Sequence, residues 1–402
     1  MAAEDNQEMH TKRGVSAVVT VGAIVLAVII VAGIFYLVPG LAPGTTKTAT
    51  STATGTVTST VTSTSSSTSS SSSTSTTHRQ YSMAVVLGGD ETDLGFNYVA
   101  IQAANYIAQT YGWSVSISRD VSYSDQYNVI TSLAQSGHYD LVWVVGNQFI
   151  GTTEAVANQS YKAGLSTVFA QTPSYYQSLT PNIVLLDQSF QITGYYEAGV
   201  LAAKMTKTNA VGVIIGQWYP SQSMEFYAFE AGVNATNPNV KVYCRVAGTW
   251  SDASLGLQIA KTLIQTQHTD IIAQIADATG RGAFTAAQLY NATVGANQYP
   301  VSIIGTVADQ ASLAPNNVMT SVLMNQTTFI DTVVKHIMAG TWSQIGGHDL
   351  FMNLGSLAPY HSYDSIIPAS VKSDVATVIQ EINSGTIVVH QEVTQNPPAD
   401  PT

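Results

Sequence analysis

From Tyr81 onward the chain alternates between two patterns. Short apolar runs rich in β-branched residues end in Gly or polar residues, and stretches with apolar residues at helical spacing follow them. The strand candidates are YSMAVVLGG, WSVSIS, YDLVWVVG, LSTVFAQ, NIVLLD, AVGVIIG, VKVYCRVAG, DIIAQIA and VSIIGTVA. Between several of them lie helix-like stretches such as YVAIQAANYIAQTYG, YYEAGVLAAKMTK and ASLGLQIAKTLIQTQ. A parallel strand pair needs a crossover, and the crossover helix covers a face of the sheet, so this alternation predicts an α/β fold with helices on both faces. Nine candidates over about 230 residues are many for one sheet, and two similar lobes fit better.

In such sheets ligands bind beyond the carboxyl ends of the strands. The segments found there are GGDETDLGFN, VGNQF, QTPSYY, GQWYPSQSMEF, GTWSDASLG, ADATGRG and VADQ. They mix aromatic rings with Asp, Asn and Gln, which suits a neutral, polar, partly flat ligand. Asn147, Trp250, Asp252 and Asp277 are candidates by this placement. Each tip residue also has a plainer reading: Trp250 or Phe226 as core, Asp252 as a helix N-cap, Asp93 as a turn former.

ADATGRG (276–282) follows an apolar run and precedes an Ala-rich one. A strand, a Gly-rich turn and a helix N-terminus together can bind an anion. The complete nucleotide fingerprints, GxGxxG with a distant acid or GxxxxGK[ST], are absent, so a tight turn that needs Gly stands beside a phosphate loop.

The 402 residues allow two domains or a two-lobed unit with extras. A net charge of −11 argues against a nucleic-acid partner. Cys244 is the single cysteine, so neither a disulfide framework nor a cysteine-based zinc site is available. The eight histidines form no HExxH and no close pair, and no metal or cofactor is expected.

Val15 to Val38 is an apolar stretch of 24 residues, long enough to cross a hydrocarbon core of roughly 30 Å. Lys12 and Arg13 precede it, a bias that holds the N-terminus in the cytoplasm and sends the rest outside. From Thr45 to Thr77 nearly every residue is Ser or Thr, which reads as a bare spacer or an O-glycosylated stalk. Asn158, Asn234, Asn291 and Asn325 match the N-x-[ST] glycan pattern. The expected organisation is a leader at 1–14, a membrane helix at 15–38, a linker at 39–80, a two-lobed domain at 81–393 and a tail at 394–402. The N lobe would take about 81–190 and a later segment, and the C lobe about 195–300 and a C-terminal segment. The expected location is the cell membrane, with the folded domain extracellular.

Two resemblances add to this. KRGVSAVVTVGAIV resembles the class III (prepilin-like) signals of archaeal surface proteins, which implies cleavage at Gly14–Val15 with the apolar helix retained. At the strand tips the chain resembles the basic membrane protein family of solute-binding proteins, over roughly residues 83–340. DLGFN, YYEAGVLAAKMTKTNAVGVIIG, FYAFEAGV, GTWSDASLG, ADATGRGAF, VADQ and LAPNNVMTSV carry it, in the family's order. The resemblance implies a type I periplasmic-binding-protein fold: two Rossmann-like lobes, joined by crossover strands, that close on the ligand. Studied members bind purine nucleosides.

Residue by residue, the resemblance points to Phe96 and Phe226 as rings sandwiching a base. Asp93 and Asn97 would bond near the base, and Thr279 and Gly280 would lie beside the sugar with Asp309. ADATGRG becomes a ligand-contacting turn, with Arg281 pointing to solvent. The chain departs from the family at Val307, where the family has Asp, and at Met324, where it has Lys.

The function implied is an extracytoplasmic receptor that delivers a small neutral ligand, a nucleoside in the first instance, to ABC permease and ATPase subunits. A surface sensor is the alternative, although MAAEDNQEMHTKR holds no signalling domain. A hydrolase on this scaffold would need an activated nucleophile, and no GxSxG occurs.

Overall fold

The computed structural model describes residues 79–401 apart from residues 90, 93, 175–178, 188 and 297. The expected leader, membrane helix and nearly all of the linker lie outside the described residues. Among those described, no helix is long and apolar enough to cross a membrane.

All nine strand candidates form strands. The N lobe contains β1 (Ser82–Leu87), β2 (Ser114–Ser118), β3 (Leu141–Val145), β4 (Val168–Ser174) and β5 (Ile183–Asp187). The C lobe contains β6 (Ala210–Ile215), β7 (Lys241–Val246), β8 (Ile271–Ile275) and β9 (Ser302–Val307). Three more strands complete the sheets: β10 (Val318–Met324), β11 (Asp349–Leu350) and β12 (Gly355–Leu357). The N-lobe order is β11-β5-β4-β3-β1-β2, parallel throughout. The C-lobe order is β12-β10-β9-β8-β6-β7, with β12 antiparallel to β10. Central strands are buried on both faces, which is why LVWVV reads as an unbroken apolar run and IIAQI as one interrupted by Gln274 alone.

In the N lobe, α1 (Phe96–Tyr111), α2 (Gln126–Gln135) and α3 (Ile150–Lys162) follow β1, β2 and β3. In the C lobe, α4 (Ile192–Met205) precedes β6, and α5 (Pro220–Thr236), α6 (Ala253–Thr266) and α7 (Asp277–Asn291) follow β6, β7 and β8. The chain crosses between lobes after β5, after β10 and between β11 and β12. As a result α8 (Gln326–Met338) packs in the N-lobe core and α9 (Ala369–Asn383) packs against α4. This is the type I periplasmic-binding-protein arrangement, and all described residues belong to one compact unit, Thr76–Thr402.

The strand order reverses at β1, flanked by β2 and β3, and at β6, flanked by β7 and β8. Crevices open at these switch points, at the carboxyl ends of the strands. The two crevices face one another.

The Gly-Arg-Gly segment is not a turn. Residues 277–291 form α7, and its glycines lie inside the helix. A Cβ on Gly282 would stand 2.1 Å from Leu257 N, and one on Gly256 of α6 would stand 1.9 Å from Thr279 O. Each helix thus needs glycine where the other backbone passes. Arg281 does not simply point to solvent: its Nη2 donates to Thr92 O in the N lobe at 2.8 Å.

The tail at 394–402 is held on the C lobe. Trp218 Nε1 donates to Thr394 O at 2.9 Å, Thr394 N donates to Ser223 Oγ at 2.9 Å, and Arg245 Nη2 bonds Asp400 at 2.8 Å. Two of the glycan-pattern asparagines have structural bonds. Asn291 exchanges hydrogen bonds with the Val301 backbone, and Asn325 caps α8 by accepting from Thr328 N.

Candidate functional site

Between the lobes lies a cavity of about 280 Å³. Every stretch of its wall is a strand end or the segment just after one. From the N lobe come Gly88, Gly89, Phe96 and Asn97 after β1, Val145 to Gln148 after β3, and Pro173 in β4. The first crossover adds Phe190 and Gln191. From the C lobe come Gln217, Gln222 and Glu225 after β6, and Thr249, Trp250 and Ser251 after β7. Ile275, Asp277 and Ala278 follow from β8, and Thr306 and Val307 from β9.

Phe96 is the first residue of α1, and its ring meets Phe190 with centroids 6.4 Å apart. Asn97 follows it onto the wall. Asn147 Nδ2 reaches across to Ser221 Oγ at 3.2 Å, and its Oδ1 has no hydrogen-bond partner among the described residues. Asp277 opens α7 at φ 42 and accepts from Phe96 N across the cleft at 3.3 Å.

Trp250 is held on three sides. Its ring covers Gly216, where a Cβ would fall 2.2 Å from the indole. Its Nε1 donates to Gln217 Oε1 at 2.9 Å, and its carbonyl accepts from Thr279 N at 2.9 Å.

The other expected contact residues lie off the cavity wall. Phe226 is fully buried in the C-lobe core, against Trp218 and Tyr227. Pro220 starts α5, so the positions that face the cavity are Gln222 and Glu225, three residues apart, and Phe226 is turned about 100° away. Thr279 is fully buried; its hydroxyl donates to Thr249 O at 3.0 Å and accepts from Asp252 N at 2.8 Å. Asp252 caps α6 by accepting from Leu255 N at 2.9 Å. Thr279 and Asp252 therefore fix the loop that carries Trp250. Gly280 packs against the Gln274 side chain, and Asp309 pairs with His361 at 2.6 Å. Asp93 lies outside the described residues.

Glu225, Gln222, Gln217 and Phe190 are wall residues that placement at strand tips did not single out. The signal for the first two was present in YPSQSME: a proline at the first helical position fixes which face the next two turns present.

Val307 and Met324 are both buried in one apolar cluster with Phe190, Phe329 and Leu354. Val307 is the centre of a γ-turn, with φ 67 and Ala308 N donating to Thr306 O at 2.7 Å. That backbone is costly for a β-branched residue, and it breaks β9 where the strand meets the cavity.

The acids give the site its electrostatic character. Burial pushes the Glu225 carboxyl well above the usual carboxylate range; the Asp277 charge pushes the same way, and the Gln222 bond opposes both. Tyr195, hydrogen-bonded to Thr306, is raised well above an ordinary phenol by burial, with Glu225 and Asp277 adding to the shift. Among the described residues no Lys, Arg or His lines the cavity. No cluster of three or more described His, Cys, Asp or Glu side chains could hold a metal.

Residues 81–356 match the profile of the Bmp family, described as ABC transporter substrate-binding protein PnrA-like. The chain belongs to this family. It is 28% identical over 242 residues to basic membrane protein A of Borreliella afzelii, covering 60% of this chain and 70% of that protein. It is also 28% identical over 239 residues to the ABC transporter nucleoside-binding protein BmpA of Lactococcus lactis subsp. cremoris, covering 58% and 65%. An ABC transporter solute-binding protein from Aeropyrum pernix superposes with a TM-score of 0.68 at 20% identity, over 78% of this chain and 94% of that one. A Caulobacter myo-inositol binding protein superposes with a TM-score of 0.52 at 16% identity, over 73% and 97%. The Bmp-family match and the interlobe cavity agree: the chain is a substrate-binding protein of the ABC-transporter type.

Proposed function

We propose that the protein captures a nucleoside outside the cell and presents it to the permease and ATPase subunits of an importer. The observation that carries this reading is the cavity wall, which takes one exposed aromatic face from each lobe, Phe96 and Trp250, beside the amides of Asn97, Asn147, Gln217 and Gln222. Rings hold the faces of a flat base, and amides bond its edges and the sugar hydroxyls. The BmpA relative is named for nucleoside binding, which supports the same class.

Binding works here as a bias on closure. The lobes already touch through Phe96 N to Asp277, Arg281 to Thr92 O, and Gln310 Nε2 to Leu94 O at 3.3 Å. A ligand touching both walls stabilises the closed arrangement and no other, which shifts the population toward the form a permease would read. The protein performs no chemistry on the ligand in this reading. The apolar stretch at 15–38 tethers it, with the Ser/Thr-rich linker as spacer.

A thermal-shift screen of the detergent-solubilised chain tests the class. A nucleoside at 100 times its Kd should stabilise the folded state by about 2.7 kcal/mol. If sugars raise the melting temperature and no purine or pyrimidine nucleoside does, the ligand assignment is wrong.

A further inference from the structure

The second acid of the cavity, Glu225, immediately precedes Phe226, the ring that the family resemblance implies. It is 1% exposed and lines the void from the second turn of α5. Gln222 Nε2 stands 3.5 Å from Oε2, a long contact that leaves the carboxyl with capacity to spare. The backbone behind it is braced: Ser223, two residues earlier and so on the far face of α5, bonds Thr394 N and Glu392 O of the C-terminal strap. The titratable groups facing Glu225 among the described residues are Asp277, from the start of α7, and Tyr195, from α4. On α5 itself Glu230 lies further along, beside Glu392 of the strap. No described cation faces the cavity.

We propose that Glu225 sets the ligand class: its carboxylate accepts hydrogen bonds from a donor edge of the ligand, so that the cavity takes uncharged or cationic donor-rich molecules and refuses anions. This rests on the reading that the interlobe cavity is the solute site. A buried carboxylate is costly without donors, and an N–H or O–H edge supplies them. Asp277 faces the same space, so a phosphate or carboxylate on the ligand would meet two acids and no cation. Among nucleosides the preferred base is one with two N–H donors on one edge, as guanine has.

A proton balance follows. In the free protein Glu225 retains its proton to higher pH than an ordinary carboxyl, because it is buried beside Asp277. A donor edge favours the ionised form, so the O–H bond breaks and the proton passes to solvent as the ligand docks. Affinity should therefore rise with pH until the free protein's own carboxyl ionises, and level off above that.

The experiment is calorimetric titration of the detergent-solubilised chain with guanosine, guanosine 5′-monophosphate and myo-inositol, in two buffers of unlike ionisation enthalpy, from pH 5 to pH 8. Guanosine should bind with proton release and tighten by up to about tenfold per pH unit at the acid end. The monophosphate should bind at least about 100-fold more weakly. E225Q, checked for an unchanged melt, should lose both the proton release and the pH dependence. The first two readouts need no variant and hold even if E225Q misfolds. Guanosine binding without proton release, E225Q behaving as wild type, or the monophosphate binding as tightly would each overturn the role of Glu225 and leave the nucleoside reading standing. Proton-linked binding of myo-inositol in place of guanosine would uphold Glu225 and remove the nucleoside. Binding of none of the three would overturn both.

Discussion

The N lobe and the C lobe present the same kind of strand ends to one cavity, yet they furnish it differently. The N-lobe wall is glycine, aliphatic and aromatic groups and amides: Gly88, Val145, Pro173, Phe96 and Asn147. The C-lobe wall carries the two described acids, Glu225 and Asp277, and the strained turn at Val307. Two windings of one topology thus give a wall suited to holding a flat face and a wall suited to reading polar edges. Equivalent backbone position fixes where a side chain can act; local helix register and charge decide what it does there.

The sharpest way to break this comparison is to exchange the roles of two phenylalanines. Phe226→Ala removes a fully buried ring from the C-lobe core and should cost about 3–5 kcal/mol of stability, seen as a lower denaturation midpoint. Phe96→Ala, on the opposite wall, should leave the midpoint almost in place. If Phe226→Ala melts like wild type and only ligand affinity falls, the assignment of the two rings is reversed.

A second effect lies outside both walls, where the crossovers meet α4. Glu197 is buried there near Tyr360, its Oε2 has no described partner, and burial raises its pKa from 4.5 to about 7. The folded state prefers the protonated acid, so its contribution to stability is complete below pH 4.5 and is lost as pH rises through about 7. Glu197→Gln should recover on the order of 3 kcal/mol at pH 8 and very little at pH 4.5. Urea melts at the two pH values measure this; equal midpoint changes at both would show that Glu197 does not titrate in this range.

A smaller effect separates the walls by affinity. Phe96→Ala and Trp250→Ala should each weaken nucleoside binding by about 1–2 kcal/mol, and neither should alter the proton released on binding. Proton release that vanished in Phe96→Ala would mean that the N-lobe wall also reads polar edges. Smallest of all, Arg245→Ala breaks the exposed ion pair to Asp400 and should change stability by under about 1 kcal/mol, since exposed pairs are screened. A loss of several kcal/mol there would make the strap, rather than the helix packing, the support of the C-lobe wall.

Much of the fold was legible. The central strands among the nine candidates are buried on both faces and therefore announce themselves as apolar runs, β2 and β7 at the sheet edges are partly exposed and show through their β-branched residues, and the two-lobe expectation follows from the number of strands. β11 and β12 were not legible, because DL and GSL carry no periodicity; they are strands only because the neighbouring edges accept them. The site was legible by segment and less so by residue. Phe96, Asn97, Asn147, Trp250 and Asp277 reach the cavity because each opens, or lies just before, a helix at a strand end. Phe226 and Glu225 are neighbours in sequence, and one residue of helix register separates core from cavity. The glycines of ATGRG suggest a turn in sequence because Gly is permissive of turns. Here they serve the close passage of α6 and α7, a requirement set by a partner helix that lies more than a dozen residues upstream.

The central claim is that one ligand lies between these unlike walls and touches both. A crystal structure grown with the nucleoside that gives the largest thermal shift tests it most directly. The account predicts density for the base between Phe96 and Trp250, with a donor edge within hydrogen-bond distance of Glu225. Density outside the cavity, or contacts to one lobe alone, would contradict it.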